Sequence, residues 1–183
     1  MLFICRIWRF EKKGGLRAML AIGIDPGTAI CGYGVVEAVG SRLKAISYGA
    51  IRTSPVLSAA DRLQIIHHEL DLLLKKYQPD IVGVEQLFFN KNVTTAMAVG
   101  QARGVILLAI AQNDISLAEF TPLQVKQSVV GYGKATKEQV IYMTQRLLSL
   151  VEKPKPDDVA DALAIAICSI HSSGSNKMWS VKP

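Results

Sequence analysis

Cysteine is scarce in this chain: Cys5, Cys31 and Cys168 are the only three in 183 residues. An odd handful leaves no disulfide framework, and without a CxxC pair there is no zinc signature. Charge is also modest, at 20% of residues against 50% apolar, which excludes intrinsic disorder and a fibrous fold. No apolar run is clean enough to cross a membrane. The best candidate, residues 92–113, includes Asn92, Gln101, Arg103, Gln112 and Asn113 and reads instead as a buried or subunit-facing helix. The opening MLFICRIWRFEKKGGLRA lacks a secretory pattern, because Arg6 and Arg9 interrupt its apolar run and no small-residue cleavage site follows. Internal repeats are missing too. These absences lead us to expect one cytoplasmic domain with no membrane partner.

What charge there is lies unevenly. The net charge is +6, and residues 1–18 carry Arg6, Arg9, Lys12, Lys13 and Arg17 against Glu11 alone, so four of the six units lie there. Met19 directly precedes the first strand-like run, and residues 1–18 are expected to be an extension outside the fold. The domain is expected over 19–172, with a flexible polar tail over 173–183.

From Met19, LAIGID stays apolar until Asp25, as suits a central strand buried on both faces. PGTAICGYG is a glycine-rich turn. GYGVVEAV and RLKAISYGAI, separated by Gly40 and Ser41, continue from it as an antiparallel meander. Ser58 opens a helix with Leu63, Ile66, Leu70, Leu73, Leu74 and Tyr77 at helical spacing, stopped at Gln78-Pro79. IVGV is a short buried strand ending at Glu85, 92–113 the long apolar helix, and ISLAEF a fifth strand. Pro122 starts the helix PLQVKQSVV. Thr136 with Gln139 forms a capping-box pattern for a helix to about Leu150, and residues 157–171 make a last apolar helix after Pro154 and Pro156. This order describes an α/β protein, a mixed five-stranded sheet flanked by helices.

Two strands end in acid. Asp25 and Glu85 would project from carboxyl ends of strands, where open α/β sheets place ligand chemistry. Asp158 and Asp161 lie three apart on one face of the last helix. Acids in a first helical turn complement the helix dipole, which would account for either one alone. This helix, however, carries Ala160, Ala162, Ala164 and Ala166 among Leu and Ile, so it packs closely and turns an acid toward the contact. A buried carboxylate needs a cation. No run of Lys or Arg nearby neutralises four acids, whereas oxygen-only donors select hard divalent ions such as Mg²⁺ or Mn²⁺. Two such ions about 4 Å apart can hold the attacking and leaving oxygens of a phosphoryl transfer.

GIDPGTAICGYGVV, VGVEQLFFNKN, GQARGV, VKQSVVGYG and DDVADALAIAI, in this order and at these separations, resemble the RuvC family of Holliday junction resolvases, over about Met19 to Cys168. The resemblance implies a ribonuclease-H-like fold, a homodimer, and paired symmetric incisions of four-way junction DNA. It also implies two Mg²⁺ per active site, with Mn²⁺ as a substitute, and cooperation with the RuvA and RuvB branch-migration proteins. By motif, Asp25, Glu85, Asp158 and Asp161 match the metal-binding catalytic acids. Some relatives have histidine at the position of Asp161; here the set is all carboxylate.

Lys126 and Lys137 match basic residues that approach the scissile phosphate, and Lys137, early in its helix, opposes the dipole with no evident structural gain. Phe88 matches an aromatic that stacks at the junction centre, while Phe89 is assigned to packing. Asn90, Lys91 and Arg103 are candidate phosphate contacts. His67 and His68 lack metal-ligand spacing. The small residues Thr94, Ala96, Gly100 and Gly104 would let a partner helix, or the sheet itself, come close. Three rivals compete, and two of them fail. An actin-like or sugar-kinase-type ATPase shares the first motif but needs a second domain. An inert junction-binding module would be expected to lack an acid. A ribonuclease-H-like nuclease that processes ribosomal RNA is the alternative retained.

Overall fold

The computed structural model describes residues 18–86 and 93–174. Strands β1 (Met19–Asp25), β2 (Ile30–Val39) and β3 (Arg42–Arg52) form the expected antiparallel meander, and β4 (Ile81–Glu85) and β5 (Ser116–Phe120) add in parallel on the other side of β1. The order β3-β2-β1-β4-β5 puts β1 at the centre. Helices α1 (Ala59–Tyr77) and α2 (Val93–Gln112) cover one face, and α5 (Asp157–Gly174) crosses the other with α3 (Pro122–Val130) and α4 (Lys137–Leu147) behind it.

Local chemistry sets the helix limits. The Ser58 side chain accepts from the Asp61 amide to open α1, and Gln78, left-handed at φ 43°, closes it before Pro79. Thr121 with Gln124, and Thr136 with Gln139, each form a complete capping box. Helix α4 stops earlier than its apolar pattern suggests. The Leu148 amide turns back to Thr144, Ser149 goes left-handed at φ 52°, and Leu150 still packs on the core. Conversely, α5 outlasts its expected end at 171 and runs to Gly174, the hydroxyls of Ser172 and Ser173 folding back onto the Ser169 carbonyl instead of opening a turn.

The two faces of the sheet differ in kind. Ile22, Ile24, Val35, Val82 and Val84 face α1 and α2 in an aliphatic core. On the opposite face, alternation brings up glycine: Gly34, Gly23 and Gly83 are cross-strand partners on three adjacent strands. Helix α5 lies in the trough they leave. A Cβ on Gly23 would strike the Ala162 carbonyl, one on Gly83 the Ser169 hydroxyl, and one on Gly34 would come 2.9 Å from the Leu163 Cα.

Candidate active site

The same alternation places the acids. In Gly23-Ile24-Asp25 and Gly83-Val84-Glu85, the glycine that admits α5 is followed two residues later, on the same face, by a carboxylate at the strand's carboxyl end. Asp25 is paired in the ladder with Gly32, and a Cβ on Gly32 would strike the Asp158 carbonyl. The first turn of α5 therefore sits directly beside Asp25, and Asp161, one turn on, faces the same strand end.

The electrostatics follow from this crowding. Burial, then the charges of Asp161, Glu85 and Asp158, push the Asp25 carboxyl up to about 8, with Lys137 opposing. Glu85 is raised by burial and by Asp161. Asp161 is raised by burial and by Asp157 and Asp158, against Lys137. Lys137, first residue of α4, lies 3.1 Å from an Asp161 oxygen and 3.5 Å from Asp157. Burial lowers its pKa, but the two carboxylates outweigh this and hold the ammonium protonated.

These positions bring together five of the six expected catalytic residues, the four acids and Lys137. Lys126 is half-buried on α3, next to the core residue Val125, and is not among the main charges felt at Asp25. Arg103 forms an ion pair with Glu119 of β5, both partly buried, so its guanidinium is engaged within the fold. Phe88, Phe89, Asn90 and Lys91 lie outside the described residues. Asp157 was not expected at the site. It shares Lys137 with Asp161 and also reaches Lys153 at 3.7 Å; its adjacency to Asp158 was the only sequence signal for it.

The family model described as crossover junction endodeoxyribonuclease RuvC matches residues 21–169. The chain belongs to the RuvC family. The RuvC of Heliobacterium modesticaldum is 60% identical over 154 residues, covering 84% of this chain and 95% of that one. Among solved structures, Thermus thermophilus RuvC superposes with a TM-score of 0.79 at 36% identity, over 85% of this chain and 96% of that one. T. thermophilus RuvC in complex with a Holliday junction substrate matches with the same TM-score at 33% identity and the same coverage. The ribonuclease-H-like fold expected from the motifs is thus the fold of this RuvC chain. The match lies with the resolvases, and the alternative of a nuclease processing ribosomal RNA is set aside.

Proposed function

We propose that this RuvC chain is a structure-selective endodeoxyribonuclease that resolves four-way DNA junctions by paired symmetric nicks, working as a Mg²⁺-dependent homodimer. The observation that carries the proposal is the convergence of Asp25, Glu85, Asp158 and Asp161 at the carboxyl ends of β1 and β4, with Asp25 held protonated to about pH 8 by burial and by its acidic neighbours.

The donor set suits hard divalent ions. It offers four carboxylates against the single ammonium of Lys137, so it is short of positive charge, and all its donors are oxygen. Among the described residues no three such side chains already stand close enough to grip an ion. The fit is therefore electrostatic, with the backbone gathering acids whose charges call for a cation. Asp25, Glu85, Asp158 and Asp161 would hold two Mg²⁺, with Mn²⁺ as a substitute. When bound, such ions lower the pKa of the attacking water and stabilise the departing oxygen.

The chain's own groups account for the rest. Asp25 must give up its proton for the site to load, so loading rises with pH. The Lys137 ammonium, fixed between two carboxylates at the rim, can offset negative charge that builds on the phosphate. Hydrolysis forms a bond from water oxygen to phosphorus and breaks the bond to the 3′ oxygen, which takes up a proton; the nick carries 5′-phosphate and 3′-hydroxyl ends. Lys126 is retained as a second candidate for the phosphate. Phe88, Asn90, Lys91 and Arg103 are retained as candidate DNA contacts, with Arg103 needing to leave Glu119 first. Cooperation with RuvA and RuvB in the cytoplasm completes the proposal.

Asp25→Asn should abolish incision of a synthetic four-way junction in Mg²⁺ while the junction still binds in a gel-shift assay. Retained cutting by this variant would overturn the mechanism. Cutting of linear duplex or structured RNA in preference to the junction would overturn the substrate.

A further inference from the structure

Beside the acids lies a hydrogen-bond chain that the proposed chemistry does not use. Thr53 follows the last residue of β3 and is buried, 8% exposed. Its amide donates to the Ala29 carbonyl at 3.1 Å and its hydroxyl donates to the Thr28 carbonyl at 2.5 Å. The same hydroxyl oxygen accepts from Arg62 Nε at 2.8 Å. Residues 26–29 form the turn that leaves Asp25. The turn is tight: a Cβ on Gly27 would strike the Ile30 carbonyl, and the Gly27 backbone hydrogen-bonds the Cys31 sulfur.

Two features make this more than loop closure. Arg62 lies in the first turns of α1, where a cation opposes the helix dipole, so its placement carries a local cost. The Thr53 hydroxyl, moreover, spends its one hydrogen on Thr28 and takes Arg62 as donor. A charged donor polarises the hydroxyl and strengthens what it gives onward.

We infer that Thr53 and Arg62 are positioning residues: the relay from Arg62 through the Thr53 hydroxyl to the Thr28 carbonyl fixes the turn after Asp25 and thereby aims the Asp25 carboxylate. The inference rests on the proposed role of Asp25 as a catalytic acid. A misplacement of about 1 Å at such a group costs on the order of 100-fold in rate.

Thr53→Val keeps the shape and the amide bond to Ala29 and deletes only the hydroxyl. It should slow single-turnover cleavage of a four-way junction about 10- to 100-fold, leave junction Kd in chelator unchanged, and speed hydrogen exchange at the Gly27–Ala29 amides. Thr53→Ser should restore both cleavage and protection. Arg62→Gln should act in the same direction, and the double variant should be no slower than the worse single one, as expected of residues in one chain of bonds. Wild-type cleavage by Thr53→Val, unaltered exchange in the turn, or failure of Thr53→Ser to rescue would each overturn the inference. Failure of the unaltered protein to cut junctions would instead overturn the proposed function, and the exchange rates would still decide whether the relay holds the turn.

Discussion

Asp25 keeps its proton to about pH 8 because burial and three neighbouring carboxylates act together, with Lys137 opposing. In an unfolded chain an aspartate titrates near about 3.9. Between about pH 4 and 8, therefore, the folded protein binds a proton that the unfolded one has lost, and stability falls as pH rises across that window and levels off above it. The full effect is a few kcal/mol at most, since the site is partly open to water. Chelator-treated protein should melt at progressively lower temperature from pH 4 to 8. Asp25→Asn should match it at pH 4, exceed it at pH 8 and flatten the slope, with the remainder due to Glu85 and Asp161, both also raised. Parallel melting curves for the two proteins would show that Asp25 does not carry this charge conflict. Added Mg²⁺ competes with the same proton, so it should raise the melting temperature more at pH 8 than at pH 6.

At the scale of elements, the site depends on how closely α5 approaches the sheet. Gly34, Gly23 and Gly83 lie in register on β2, β1 and β4, and the backbone of α5 rests where their side chains would be. Gly23→Ala sets a methyl against helix backbone, which cannot swing aside as a flexible side chain would. The helix must lift, separating Asp158 and Asp161 from Asp25. Overpacking of this kind costs about 1–3 kcal/mol or more, and Gly23→Ala should lower both the denaturation midpoint and cleavage. Gly104→Ala, at a glycine with open space around it, should leave the denaturation midpoint unchanged or raise it. Equal stability of Gly23→Ala and the unaltered protein would refute the trough. Much of this was legible in the sequence. Acids at the ends of apolar strands, small residues along the last helix, and the caps at Ser58, Pro122 and Thr136 are all local patterns. The glycine trough was not legible, because its members span 60 residues of chain, from Gly23 to Gly83, and become neighbours only once strand register is set. The repeated Gly-x-acid ending of β1 and β4 was its one local trace. The ends of α4 and α5 depart from the sequence pattern for a related reason: Leu150 is apolar because it tucks back onto the core, and Ser172 and Ser173 are polar yet wind with the helix.

Over the whole molecule, the net charge of +6 divides into parts with different consequences. Residues 19–183 hold sixteen Lys and Arg against fourteen Asp and Glu, and setting aside Asp25, Glu85, Asp158 and Asp161 leaves sixteen against ten. The four acids, less the charge that Asp25 loses by keeping its proton to about pH 8, are a negative spot on a basic body, and in chelator that spot repels the phosphates it is meant to meet. Asp158→Asn combined with Asp161→Asn should therefore bind a four-way junction several-fold more tightly than the unaltered protein in chelator, where neither cuts. Each phosphate neutralised on duplex DNA contributes about 0.9 to the slope of log affinity against log salt. If the five cations of residues 1–18 all lay on DNA, a protein beginning at Met19 would lose about four to five units of that slope. The family match begins at residue 21, and the first described strand begins at Met19. The shortened protein should accordingly keep its slope to within about one unit and cut junctions at the same rate. A slope reduced by several units would make the N-terminal segment a basic arm on the substrate and assign to it the larger share of this protein's attraction for DNA.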